Sequence, residues 1–214
     1  MIHEQTYGVR RLVFRMRRVF ARGIVVTIAL FLLATVAAGA QPLRHVSSGE
    51  RLKAAFTGLK AAPNDRSAQH RYLKVFPRRY KTFLALFGTG GSLADGYECD
   101  YIFALSTLQG HHVAEVGSLL VHLSKDAQYQ ANAPSCLQNV MANYGSHYTQ
   151  QFAGFLHQLS PQERGQLITF LADVEAANYP EYHGIIQNLK GLNESDLAKE
   201  FQQAQTERSR QSHG

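Results

Sequence analysis

Apolar residues recur along most of the chain at intervals of three and four, and no stretch keeps the two-residue alternation of a half-buried strand. The pattern predicts an all-α protein. Ser47 and Glu50 have the spacing of a capping box, opening a helix with Leu52, Ala55, Phe56 and Leu59 on one face and ending before Pro63. A short helix is expected from Ser67 to Val75, closed by Pro77. The next starts from Arg78, with Tyr80, Phe83, Leu84 and Phe87 on one face and Gly88 as a left-handed cap. Ile102, Leu105 and Leu108 mark a helix after Cys99, and Val113, Val116, Leu120 and Leu123 mark a separate one.

Residues 126–133 read as a connection. The longest helix is then expected from Ser135, because Leu137, Met141, Tyr144, Tyr148, Phe152, Phe155 and Leu159 form one continuous stripe, with Gly145 as a point of bending. Ser160, Pro161 and Glu163 supply an N-cap, a first-turn proline and a capping-box acid for a helix through Leu167, Phe170, Leu171 and Val174. Another helix follows Pro180, with Tyr182, Ile185, Ile186 and Leu189. The last is expected to be capped by Asn193, with Leu192 stapled to Leu197 and a frayed polar tail over 207–214. Seven or eight helices over residues 41–206 predict an irregular orthogonal bundle in one domain. A short α-solenoid is the alternative, and the lack of an internal repeat in the chain counts against it.

Composition narrows the class. With 45% hydrophobic and 18% charged residues in 214, the chain holds enough apolar side chains for a core and is not a disordered polymer. Its formal charge of +6 raises the question of nucleic acid, but the distribution removes it. Residues 1–40 hold six arginines against Glu4, a balance of +5, and the remainder is nearly neutral.

Those arginines precede Gly23–Ala40, an uncharged run ending in Ala38-Gly39-Ala40. A positive n-region, an apolar h-region and an Ala-x-Ala-like site are the pattern of a secretory signal, with an exported, periplasmic product. The alternative is an uncleaved inner-membrane anchor over 23–40, since eighteen helical residues reach roughly 27 Å against a hydrocarbon core of about 30 Å. Met16 is an alternative start, because Met16–Arg22 forms an ordinary n-region by itself. In an oxidising compartment Cys99 and Cys136, the only two cysteines, are expected to pair.

Catalytic signatures are missing: there is no phosphate-binding loop, no Gly-x-Ser-x-Gly elbow and no Cys-x-x-Cys-His. One metal-like constellation stands out. His111, His112 and Glu115 share the spacing of a helix face, with His122 further along, a donor set that suits zinc or copper. Glu98 and Asp100 flank Cys99, where they favour a helix start over acid–base chemistry. Charge after residue 40 is lopsided. Residues 41–81 carry ten basic residues, Arg66, Arg71, Lys74, Arg78, Arg79 and Lys81 among them, against Glu50 and Asp65. Residues 82–214 carry six against thirteen acids. The simplest account has the basic helices docked on the acidic body of the same fold; the other is a basic face for an anionic partner.

The segment Phe76-Pro77-x-x-Tyr80-x-x-Phe83-x-x-x-Phe87-Gly88, followed by Tyr101-Ile102 and by Tyr179-Pro-Glu-Tyr182-x-x-Ile185, resembles a family of small exported bacterial all-helical proteins of uncharacterised function. The resemblance covers roughly Val75 to Arg208 and implies a helical fold whose motif residues pack and do not catalyse. By analogy of size and export it extends to periplasmic immunity proteins. The expectation is thus a non-enzymatic exported domain that binds a protein partner in the bacterial envelope, toxin neutralisation being one such role, with no cofactor and no nucleic acid. Membrane contact would run only through an uncleaved N-terminal helix. The alternative is a bundle that binds a metal or small ligand through the histidine set.

Overall fold

Local signals act at the expected places in the computed structural model, which describes residues 46–128, 133–173 and 180–211. The segment 1–40, Val174 and Tyr179 lie outside the described residues. Contacts divide the chain at Val46/Ser47, and the description concerns the second unit. Among the described residues the structure is all-helical, in nine helices: α1 (Ser48–Ala61), α2 (Arg66–Val75), α3 (Tyr80–Phe87), α4 (Glu98–Ser124), α5 (Ala133–His147), α6 (Thr149–Gln158), α7 (Pro161–Leu171), α8 (Pro180–Gly191) and α9 (Ser195–Gln211). None of them is long and apolar enough to cross a membrane.

Reciprocal capping boxes start α1 at Ser47/Glu50 and α7 at Ser160/Glu163, each satisfying two orphan backbone groups. Asp65 caps α2 through the Ser67 N–H. The acids beside Cys99 fall in the first turn of α4, where they favour the positive helix end.

Several boundaries differ from the expectation, each for a local reason. The two helices expected on either side of residue 110 run as one element broken at His112, whose φ of −128° and ψ of 35° leave the helical region. The expected longest helix divides instead. Tyr148 breaks it (φ −121°, ψ 42°), and the Asn188 side chain on α8 donates to the Ser146 carbonyl at 2.8 Å beside the break. The apolar stripe survives, since Leu137, Met141, Tyr144 and Phe152 are all fully buried. Gly145 is not the bend: a Cβ there would meet Ile185 Cδ1 at 2.9 Å, so its hydrogen lets α8 approach α5.

At the end of α3, Gly88 is extended (φ −72°, ψ 174°), and the positive φ falls on Gly90. Asn193 does not cap α9. It holds φ 63° and closes α8, with Glu194 N–H bonded to Leu189 O and Asn193 N–H to Lys190 O, the two bonds of a Schellman ending. Leu192 is therefore left 41% exposed while Leu197 is buried, and no staple forms between them. The tail expected to fray from residue 207 continues as helix to Gln211, with Arg208 reaching Asp173 at 3.1 Å.

One contiguous core runs through all nine helices. Its spine is the pair α4 and α5, the most extensively packed pair of helices among the described residues. Gly117 on α4 makes the approach possible: a Cβ there would lie 2.1 Å from Tyr144 Oη and 2.8 Å from Phe155. Cys99 and Cys136 join the same two helices at disulfide distance, with Cα atoms 5.6 Å apart. On one flank Phe56, Tyr72, Phe76, Phe83, Phe87 and Tyr101 form an aromatic cluster that seats α1–α3 on α4. On the other, Phe201 packs against Tyr182 and Phe152, and the buried Tyr182 hydroxyl donates to Phe201 O at 2.8 Å.

Gly117→Ala is expected to lower stability by about 3 kcal/mol through overpacking against Tyr144. Gly154→Ala, where an added methyl meets nothing, should raise it by about 0.5–1 kcal/mol. Urea denaturation followed by circular dichroism separates the two signs. Replacing both cysteines by alanine should cost about 4 kcal/mol on the loop-entropy relation for their separation of 37 residues, read by the same method.

Candidate partner-binding groove

The residues between α2 and α3 cannot continue a helix, because Pro77 lacks an N–H and restricts Phe76 to extended backbone. The chain turns there, and α3 restarts on the hydrophobic face of Tyr80, Phe83 and Phe87. That turn fixes where the basic residues go. Arg78, Arg79 and Lys81 come out beside the C-terminal end of α4, where with Tyr80, Leu84, His122, Lys125, Asp126 and Gln128 they line an open groove of about 830 Å³. Tyr80 anchors its floor: the ring stacks on Phe83 and the hydroxyl donates to Gln128 O at 2.9 Å.

The cations in the groove are not equivalent. Arg78 is tied down, 3.5 Å from Glu115 and donating to Leu73 O at 3.2 Å, which closes the last turn of α2. Lys125 is bonded to Glu163, the same carboxylate that completes the capping box of α7. The ammonium of Lys125, then the Ser160 hydroxyl and N–H, hold the Glu163 carboxyl down at about 2. That bond likewise raises Lys125 above its ordinary value. Arg79 and Lys81 are exposed and form no ion pair among the described residues. The N-terminus of α3 has no side-chain cap, so its dipole adds to their field.

The six basic residues picked out from the sequence thus fall into two sets. Arg78, Arg79 and Lys81 line the groove. Arg66, Arg71 and Lys74 stand exposed on α2, and Arg71 lies 3.8 Å from Asp65. Docking of the basic helices on the acidic body by charge occurs at one place among the described residues, Arg78 with Glu115. The other ion pairs of the body close within it: Lys125–Glu163, His157–Glu194, Arg164–Glu200, Lys199–Asp196 and Arg208–Asp173. The basic N-terminal helices are held by aromatic packing instead.

The histidine set does not assemble. His112 Nδ1 lies 3.5 Å from Glu115, but its Nε2 is shut off from solvent with no hydrogen-bond partner, and Glu115 also faces Arg78. His111 is exposed on the other side of the helix break. His122 sits seven residues past Glu115, roughly 10 Å along the axis, while two ligands of one zinc lie within about 4 Å. Its Nδ1 bonds to Ser118 O at 2.8 Å, and its place is in the groove. Among the described residues no three His, Cys, Asp or Glu side chains converge on one point.

Three groove residues were not singled out from the sequence. Lys125, Asp126 and Gln128 are brought to the basic turn only by the packing of α3 on α4, and no spacing signals a meeting of residues more than forty positions apart. Compared with known proteins, the chain matches no family model, no curated sequence and no solved structure.

Because Glu163 is held down to about 2 from an ordinary 4.5, its stabilising contribution is present in full above about pH 4.5 and is lost as the pH falls through 2. Glu163→Gln should therefore show a lower urea midpoint than the parent at pH 6, with the difference closing near pH 2.

Proposed function

We propose that the protein is an exported, non-enzymatic helical domain, periplasmic after removal of its N-terminal signal, that binds a protein partner in the bacterial envelope through the groove between α3 and the end of α4. Toxin neutralisation is one role within this reading. Export is supported by the arginine-led apolar segment and the small-residue triplet at 38–40. The motif shared in resemblance with small exported helical proteins fits a scaffold role, since Phe76, Tyr80, Phe83, Phe87, Tyr101 and Ile102 are all buried. An irregular orthogonal bundle suits the packing better than a solenoid, in which each repeat touches only its neighbours: α5 packs on α4, α6, α7 and α8.

The observation that carries the reading is the pair Arg79 and Lys81. Both are exposed in a concavity and, among the described residues, form no ion pair, whereas their neighbours Arg78 and Lys125 are each held by an acid. Opposed charge across an interface steers encounter and selects partners, so an acidic protein surface is the complement.

The test is capture from the native envelope fraction by the full-length chain, its Arg79→Glu/Lys81→Glu form and an Arg66→Glu/Lys74→Glu control. One stoichiometric species retained by the parent and the control, and weakened about tenfold or more by reversal at 79 and 81, is the expected result. A species held equally by all three would place the interface elsewhere.

A further inference from the structure

The composition of the groove says more about its occupant than its charge does. Its floor is apolar: the Tyr80 ring, pinned by its bond to Gln128, and the half-buried Leu84. Its rim is cationic at Arg79 and Lys81. Asp126 and Gln128 complete its lining. The His122 ring lies beside it, its Nδ1–H donating to the Ser118 carbonyl at 2.8 Å.

A partner that presents only negative charge fits this poorly. A phosphate polymer or an anionic lipid surface would meet Arg79 and Lys81, but it would press the same charge against Asp126 and leave the apolar floor unused. A polypeptide supplies each complement: carboxylates for the rim, an aliphatic side chain for the floor, and backbone N–H groups for Asp126. The volume of about 830 Å³ lies in the range of ligand sites, roughly 300–1,000 Å³, so the groove holds a short stretch of chain.

We propose that the groove takes an acidic polypeptide segment built around one aliphatic side chain, which seats on Tyr80 and Leu84 while flanking carboxylates reach Arg79 and Lys81. This rests on the partner-binding reading above and specifies the chemistry of the partner. The tied cations Arg78 and Lys125 shape the walls, each with its own acid, and leave recognition to the other two.

The test is a titration of the full-length chain, purified after export, with a labelled short peptide of glutamate and glycine bearing one central leucine. Leucine→serine and glutamate→glutamine forms of the peptide are run beside it, with inorganic polyphosphate and anionic phospholipid vesicles as competitors. Each altered peptide should bind about tenfold more weakly, the apolar loss matching burial of one leucine. Lys81→Glu should weaken the parent peptide similarly and Lys81→Arg should restore it. Leu84→Ser should remove the advantage of leucine over serine; where that variant fails to fold by circular dichroism, the peptide pair alone decides the point. Equal binding of the leucine and serine peptides, or tighter binding of polyphosphate or vesicles, overturns the proposal. If the peptides do not bind while reversal at 79 and 81 still abolishes capture of an envelope species, the interface reading stands and this inference falls. If both fail, the groove is not the interface.

Discussion

Everything in this fold takes its position from the close seam between α4 and α5. Two helices approach tightly only where one of them gives up a side chain, and Gly117 does so under the Tyr144 ring. The cysteine pair joins the seam near one end, at Cys99 and Cys136. The first half of the chain is laid on one flank of α4 through an aromatic cluster, and α8 and α9 build outward from α5. Once the seam is set, the groove follows, because α3 is seated on α4 and carries its basic turn to the end of that helix.

Charge and packing divide the work in this molecule. Aromatic contact holds the basic N-terminal helices, so their cations are not consumed in attachment. Several acids of the body are drawn into pairs such as Arg164–Glu200, where a guanidinium meets both carboxylate oxygens at 2.9 and 3.0 Å. Partly exposed pairs of this kind contribute modestly to stability.

How much of this was legible in the sequence depends on the range of the interaction. Signals that act within one turn were readable: Ser47/Glu50 and Ser160/Glu163 form the capping boxes their spacing implies, and the proline at 77 separates two helices. Signals that needed a partner from elsewhere misled. Asn193 resembled the start of a helix because asparagine favours N-caps, but it also tolerates the left-handed region, and the chain uses it to end α8. The unbroken stripe from Leu137 to Leu159 hid the break at Tyr148, since the residues keep their buried face across it. The pairing of the two cysteines was readable because there is no other choice. The groove was half readable, in that Arg78, Arg79 and Lys81 were marked by composition and Leu84 by its place on an apolar helix face, whereas the approach of Lys125 and His122 to them depends on tertiary packing.

Two cysteines also simplify the path to this structure. A chain with a single possible bridge has no wrong one, so oxidation needs a donor of disulfides but no enzyme that reshuffles them. Cys99 leads Cys136 along the chain by 37 residues, and the intervening segment holds most of α4 and the first residues of α5. In N-to-C emergence the bridge therefore becomes available as soon as the first turns of α5 appear, before α6 to α9 exist. The bond would then act as an early clasp between α4 and α5, around which the rest of the chain condenses.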